Sequence, residues 1–119
     1  MQVFIISSVR GVDSSYQKKL EKYTEDLENK GIVVYLPHRD TNQSACSLNI
    51  CETNLAAIQA SDEVHIFYNP KSQGTHFDMG IAFALNKPIK VIETVEFGSG
   101  KSYPRMLKEW QDQIELVNA

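Results

Sequence analysis

Several things are scarce in this chain, and each scarcity excludes something. Its 119 residues include only two cysteines, Cys46 and Cys51, which form no CxxC pair and have no histidine nearby. That excludes a disulfide framework and a zinc motif, and it predicts free thiols in a cytoplasmic protein. The three histidines, His38, His65 and His76, are scattered, so no metal site and no cofactor is expected. No basic run exceeds Lys18-Lys19 and the net charge is −3, which argues against a nucleic-acid polymer as partner. No apolar run approaches the roughly 20 residues that span a bilayer, so no membrane association is expected. The start, Met1-Gln2-Val3-Phe4-Ile5-Ile6, lacks the basic region and long apolar segment of a signal peptide. Neither GxGxxG nor a Walker pattern occurs, so no dinucleotide or triphosphate cradle is indicated.

What is present reads as one globular domain over 1–119, with 42% apolar and 23% charged residues. Four short apolar runs, Val3–Ile6, Ile32–Leu36, Glu63–Tyr68 and Ile89–Ile92, predict strands covered on both faces. Helices fall between and after them. Ser14-x-x-Gln17 predicts a capping box, with Tyr16, Leu20, Tyr23 and Leu27 at helical spacing and Gly31 at the helix end. His38 to Ser47 is polar and aperiodic, so a loop is expected. Leu48, Cys51, Leu55 and Ile58 mark the next helix, and Leu107, Trp110, Ile114 and Val117 mark the last, which opens near Pro104. Alternating strands and helices imply right-handed crossovers. The expected fold is an α/β, doubly wound, flavodoxin-like parallel sheet in the order 2-1-3-4. Its crevice lies between the loops after the first and third strands, Ser7–Gly11 and Asn69–Thr75.

The second of these loops leads into Ser72-Gln73-Gly74-Thr75-His76-Phe77-Asp78-Met79-Gly80-Ile81-Ala82. A helix N-terminus beside a strand's carboxyl end presents free N–H groups and a positive dipole to a ligand. Asp78 is expected in the first turn, where the dipole favours its charged, nucleophilic form. The same spacing, Thr75-x-x-Asp78, is also a capping box with Thr75 as the N-cap, so a purely structural reading stands beside the chemical one. Ser8, Arg10, Gly11 and Ser72 suit a single phosphate or a carboxylate, since arginine grips such groups bidentately and hydroxyls add bonds.

Phe4-Ile5-Ile6-Ser7-Ser8-Val9-Arg10-Gly11, together with Ser72-x-Gly74-x-x-Phe77-Asp78-x-Gly80-x-Ala82, resembles the nucleoside 2-deoxyribosyltransferase superfamily. The closer likeness is to its 2′-deoxynucleoside 5′-monophosphate N-glycosidase branch, and it runs from the first strand to Ile92. The resemblance implies attack of a carboxylate on the anomeric carbon, then resolution by water or a second base. It assigns Asp78 as the nucleophile and Asn54 as the second catalytic group. Phe4, Ser8, Arg10, Gly11, Ser72, Gly74 and Thr75 become the substrate-binding set. His76 or Glu52 is a candidate acid–base helper. The family usually has Glu where Asp78 stands, an acid where Asn54 stands and a tyrosine where Phe4 stands. Two readings follow. One is an enzyme acting on a small nucleoside or nucleotide, as a homodimer or higher homo-oligomer with Trp110 at a possible contact. The other is a non-catalytic nucleotide or ADP-ribose-like sensor on the same fold.

Overall fold

The computed structural model describes residues 1–118, with the side chains of Val117 and Asn118 outside the description. In chain order the elements are β1 (Gln2–Ile6), α1 (Ser14–Glu28), β2 (Val33–Tyr35), α2 (Pro37–Asp40), α3 (Ser47–Ala60), β3 (Glu63–Phe67), α4 (Gln73–Ala84), β4 (Ile89–Glu93) and α5 (Tyr103–Asn118). The strands form one parallel sheet in the order β2-β1-β3-β4, as the alternation of elements predicts. Alternate residues of β1 serve different layers, because successive side chains in a strand point to opposite faces. Phe4 and Ile6 pack with Val64, Ile66, Ile58, Met79, Ala82 and Leu107, under α3, α4 and α5. Val3 and Ile5 pack with Leu20, Leu27, Val34 and Phe67, under α1. Three helices therefore cover one face and a single helix the other.

Local details depart from the expected ones. Asp13, not Ser14, caps α1, its carboxylate accepting from the Tyr16 N–H at 2.8 Å. The predicted loop from His38 begins instead with the short helix α2. Pro37 at its start supplies the helical φ, and the Asp40 carboxylate accepts from the Leu36 N–H at 2.9 Å. On α3 the buried side is Asn54, Ala57 and Ile58, whereas Leu48 and Leu55 point outward. The α4 cap is Ser72, whose hydroxyl accepts from the Thr75 N–H at 3.1 Å, so Thr75 is not the N-cap. Leu107, Trp110 and Ile114 do pack inward from α5, while Val117, expected on the same face, lies outside the described side chains.

Candidate active site

The order of the sheet reverses at β1, so the loops after β1 and β3 stand side by side at the strands' carboxyl ends. One hydrogen bond stitches them together, from Asn69 Nδ2 to the Ser8 hydroxyl at 2.9 Å. Ser8 is buried, and it holds the loop rather than standing free of it. Two residues on, Arg10 is exposed, and the ion pairs among the described residues join other cations. Gly11 turns the chain with φ +69, a conformation that costs side-chain-bearing residues energy. Across the crevice, the N–H groups of Gln73 and Gly74 open α4 and have no intrahelical acceptor. Gly74 is exposed with open space around it, and so is Gly80, so neither glycine serves a close approach within one chain. Thr75 is buried, and its hydroxyl has no partner among the described residues.

Asp78 is the sixth residue of α4, one turn deeper than the sequence spacing suggests. It is 8% exposed, and no donor among the described residues reaches its carboxylate. Burial pushes its carboxyl up to about 7. The helix dipole therefore does not hold Asp78 in its charged form, contrary to the sequence-based expectation. The macrodipole acts mainly within the first turn, and desolvation outweighs it here. The capping-box alternative fails as well, because Ser72 holds the Thr75 N–H.

The neighbouring helix α3 buries one polar side chain, Asn54. Its Oδ1 accepts from the Thr41 hydroxyl at 2.8 Å, and Thr41 Oγ1 lies 2.6 Å from the Tyr35 hydroxyl. The Tyr35 ring stacks on Phe4 with centroids 5.4 Å apart and planes 9° apart. Phe4 is fully buried, so it touches no ligand directly and stands beneath the chain Tyr35–Thr41–Asn54. Sequence reasoning named Phe4 and Asn54 but missed Tyr35 and Thr41, which connect them. Thr41 follows α2 in an aperiodic stretch, where no spacing gives it away.

Neither proposed acid–base helper is placed for that role. His76 Nδ1 lies 2.7 Å from the Ser72 carbonyl, which only accepts, so Nδ1 carries the proton. Nε2 is then the acceptor for the Tyr68 hydroxyl at 2.9 Å, and Tyr103 packs edge-on against the ring. The imidazole ties the residue after β3, α4 and α5 together with both nitrogens engaged. Glu52 is exposed, and two residues from Asn54 it projects from nearly the opposite side of α3.

No group of three or more metal-ligating side chains converges among the described residues, and none of their helices is long and apolar enough to cross a membrane. Cys46 and Cys51 are unbridged. Grooves of about 350 Å³ beside Thr24 and His38, and about 210 Å³ beside Val91 and Lys108, lie away from Asp78 and Asn54.

A doubly wound parallel sheet with a buried carboxylate on the helix after its third strand defines a class, an α/β domain of flavodoxin-like order. The profile of the nucleoside 2-deoxyribosyltransferases matches residues 6–101, and the chain belongs to that family. Its fold is shared with a CMP N-glycosidase from Clostridium botulinum, at 23% identity and a TM-score of 0.64 over 94% of this chain and 81% of that one. A 2-deoxyribosyltransferase from Bacillus psychrosaccharolyticus gives 16% identity and a TM-score of 0.70, covering 95% and 90% of the two chains. A 2-desoxiribosyltransferase from Leishmania mexicana gives 20% and 0.67, covering 86% and 74%. No curated protein matches the chain significantly.

Proposed function

We propose that the chain cleaves or transfers at the N-glycosidic bond of a (deoxy)nucleoside or nucleoside 5′-monophosphate, with Asp78 as nucleophile. One observation carries this reading: Asp78 is buried without a partner, and its carboxyl is raised to about 7. A carboxylate kept for structure alone is normally hydrogen-bonded when buried. One left uncompensated in a crevice fits a chemical task. In the proposed reaction an ionised Asp78 oxygen attacks the anomeric carbon, and the carbon–nitrogen bond breaks as the base departs with the bonding electrons. Water or a second base then displaces Asp78 from the glycosyl ester. Arg10, the Ser72 hydroxyl and the first N–H groups of α4 would hold the 5′-phosphate, with Gly11 turning the loop towards it.

A second reading has its own support. Asn54 cannot give a proton to a leaving base, and His76 is committed on both nitrogens. A site without a general acid suits a nucleotide or ADP-ribose-like sensor. The two readings separate in one assay of free base released from deoxynucleosides and deoxynucleoside monophosphates. Release by the wild type that collapses in Asp78→Asn, with ligand binding retained, supports the enzyme. Binding without release by either protein leaves the sensor.

The same proposal includes a homo-oligomer. α4 carries no charged residue except buried Asp78, and Phe77 and Phe83 stand 53% and 59% exposed on either side of Gly80. Such an uncharged apolar face suits a second copy of itself. Trp110, by contrast, is half-buried and packs edge-on against Phe83, so the proposed contact moves from α5 to α4. Light scattering at micromolar concentration tests it, and a monomer for both the wild type and Phe83→Glu would reject it.

A further inference from the structure

We propose that Thr41 is a positioning residue that commits Asn54 to donating, rather than accepting, a hydrogen bond in the crevice. The inference deepens the function proposed above and rests on it for the identity of the ligand, though not for the geometry. Thr41 is 4% exposed and has a single hydroxyl proton. Its oxygen lies 2.8 Å from Asn54 Oδ1 and 2.6 Å from the Tyr35 hydroxyl. A carbonyl oxygen only accepts, so the Thr41 proton goes to Asn54. The Tyr35 proton must then go to Thr41. The chain of donors runs one way, from Tyr35 to Thr41 to Asn54 Oδ1.

Asn54 Nδ2 is left at the other end. The residue is 7% exposed, yet Nδ2 is not among the sealed polar atoms that lack a partner, whereas Ser7 Oγ and Thr75 Oγ1 are. Nδ2 therefore keeps contact with solvent, on an amide whose oxygen is held. A free asparagine side chain can offer either end to a ligand. This one is locked into offering donors. The complementary group is a lone-pair acceptor, such as a sugar hydroxyl oxygen or a carbonyl oxygen or ring nitrogen of a base. It is not an N–H or ammonium group. The relay also separates Asn54 from proton transfer, so Thr41 acts on orientation and not on protonation.

The test uses the intact protein with Thr41→Val, which keeps the shape and removes the hydroxyl, and Thr41→Ser, which keeps the hydroxyl. The first readout needs no turnover: the side-chain amide signals of Asn54 in a nitrogen–proton NMR spectrum, with and without deoxycytidine monophosphate. The wild type should give one well-dispersed amide pair that shifts on ligand addition. In Thr41→Val the pair should collapse towards free-amide positions, and Thr41→Ser should restore it. The second readout is base release per folded molecule. Thr41→Val should lower kcat/KM by about tenfold, the scale of one hydrogen bond, with Thr41→Ser close to the wild type. Tyr35→Phe removes the donor behind Thr41 and should move both readouts in the same direction by a smaller amount. It also serves if Thr41→Val does not fold. Unchanged Asn54 signals in Thr41→Val, or in Tyr35→Phe if Thr41→Val does not fold, would overturn the inference, as would a failure of Thr41→Ser to restore them. If the wild type releases no base, the NMR arm alone decides the inference, and only the enzyme reading falls.

Discussion

Two of the buried titratable side chains among the described residues, His65 and Asp78, are treated in opposite ways. His65, on β3 beneath α1, is 2% exposed and fully partnered. The Glu63 carboxylate, 3.0 Å from Nε2, can only accept, so Nε2 carries the proton, and Nδ1 accepts from the Tyr23 hydroxyl at 2.6 Å. Burial lowers the His65 pKa against the pull of Glu63, and burial raises the Tyr23 phenol to about 12. Asp78, under the opposite layer of helices, is 8% exposed and has no partner at all among the described residues. Desolvation dominates both shifts. Only at His65 do hydrogen bonds offset it, and that difference separates a group that serves the fold from one that the fold tolerates.

The largest expected effect tests the tolerated group. The folded-state pKa of Asp78 lies near 7 and the ordinary value is 3.8. Between these limits the folded chain keeps a proton that the unfolded chain has lost. The stabilising contribution is complete below the ordinary value and disappears as pH rises through about 7. Asp78→Asn removes the charge and should stabilise the protein at pH 8 by up to about 4 kcal/mol, since each tenfold change in acidity corresponds to roughly 1.36 kcal/mol. Near pH 4 the two proteins should be nearly alike. Thermal unfolding at both pH values measures this, and a less stable variant at pH 8 would show that the carboxylate is structurally used. Base release from a deoxynucleoside should rise as pH passes through about 7, because the ionised form is the nucleophile.

Arg10 extends the comparison to the loop. It is exposed and unpaired, so Arg10→Ala should leave stability unchanged. Monophosphate binding should weaken by about 1.5–3 kcal/mol, the range for a charge-assisted bond, while nucleoside binding stays the same. Calorimetry with both ligands reads the difference, and equal losses for the two would remove Arg10 from the phosphate site.

The partnered group should respond in the reverse sense. Tyr23→Phe leaves His65 Nδ1 buried without a donor, which should cost about 1–3 kcal/mol at neutral pH. Base release per folded molecule should not change. In the Asp78→Asn background, where the opposing titration of Asp78 is removed, the protein should also lose stability on acidification, because the lowered His65 pKa contributes stability that is present above 6.5 and lost as pH falls through the folded value. Denaturant unfolding at pH 7.5 and pH 5 checks both points, and a flat response in the Asp78→Asn protein would contradict the assignment of His65 as buried and neutral.

The sequence carried the sheet order, because strand and helix periods alternate cleanly from Val3 to Ile92. It carried less of the site. Asp78 looked like a first-turn residue because Thr75 and Ser72 are both good N-caps by residue type, and the chain uses Ser72. Of Leu48, Cys51, Leu55 and Ile58, expected on one face of α3, Ile58 is buried as expected, but Asn54 and Ala57 share its side while Leu48 and Leu55 point outward. A polar residue in register with Ala57 and Ile58 was the available signal. Nothing local could reveal the Tyr35–Thr41–Asn54 relay, since it joins a strand, a loop and a helix far apart in sequence.

Ser72 stands between the two treatments, and the smallest expected effect separates its roles. Its oxygen accepts from the Thr75 N–H and caps α4, as a structural group does. Its proton stays free for a ligand, as in a binding group. Ser72→Ala removes both and should cost about 0.5–2 kcal/mol of stability together with some monophosphate affinity. That result alone would not distinguish the roles. Ser72→Asp does, because aspartate caps a helix as well as serine but places a negative charge beside the proposed phosphate. Stability should then stay within a few tenths of a kcal/mol of the wild type, as befits an equivalent cap. Monophosphate binding should fall while nucleoside binding persists. If Ser72→Asp binds the monophosphate as tightly as the wild type does, Ser72 belongs with His65 as a residue of the fold, and the phosphate sits elsewhere in the crevice.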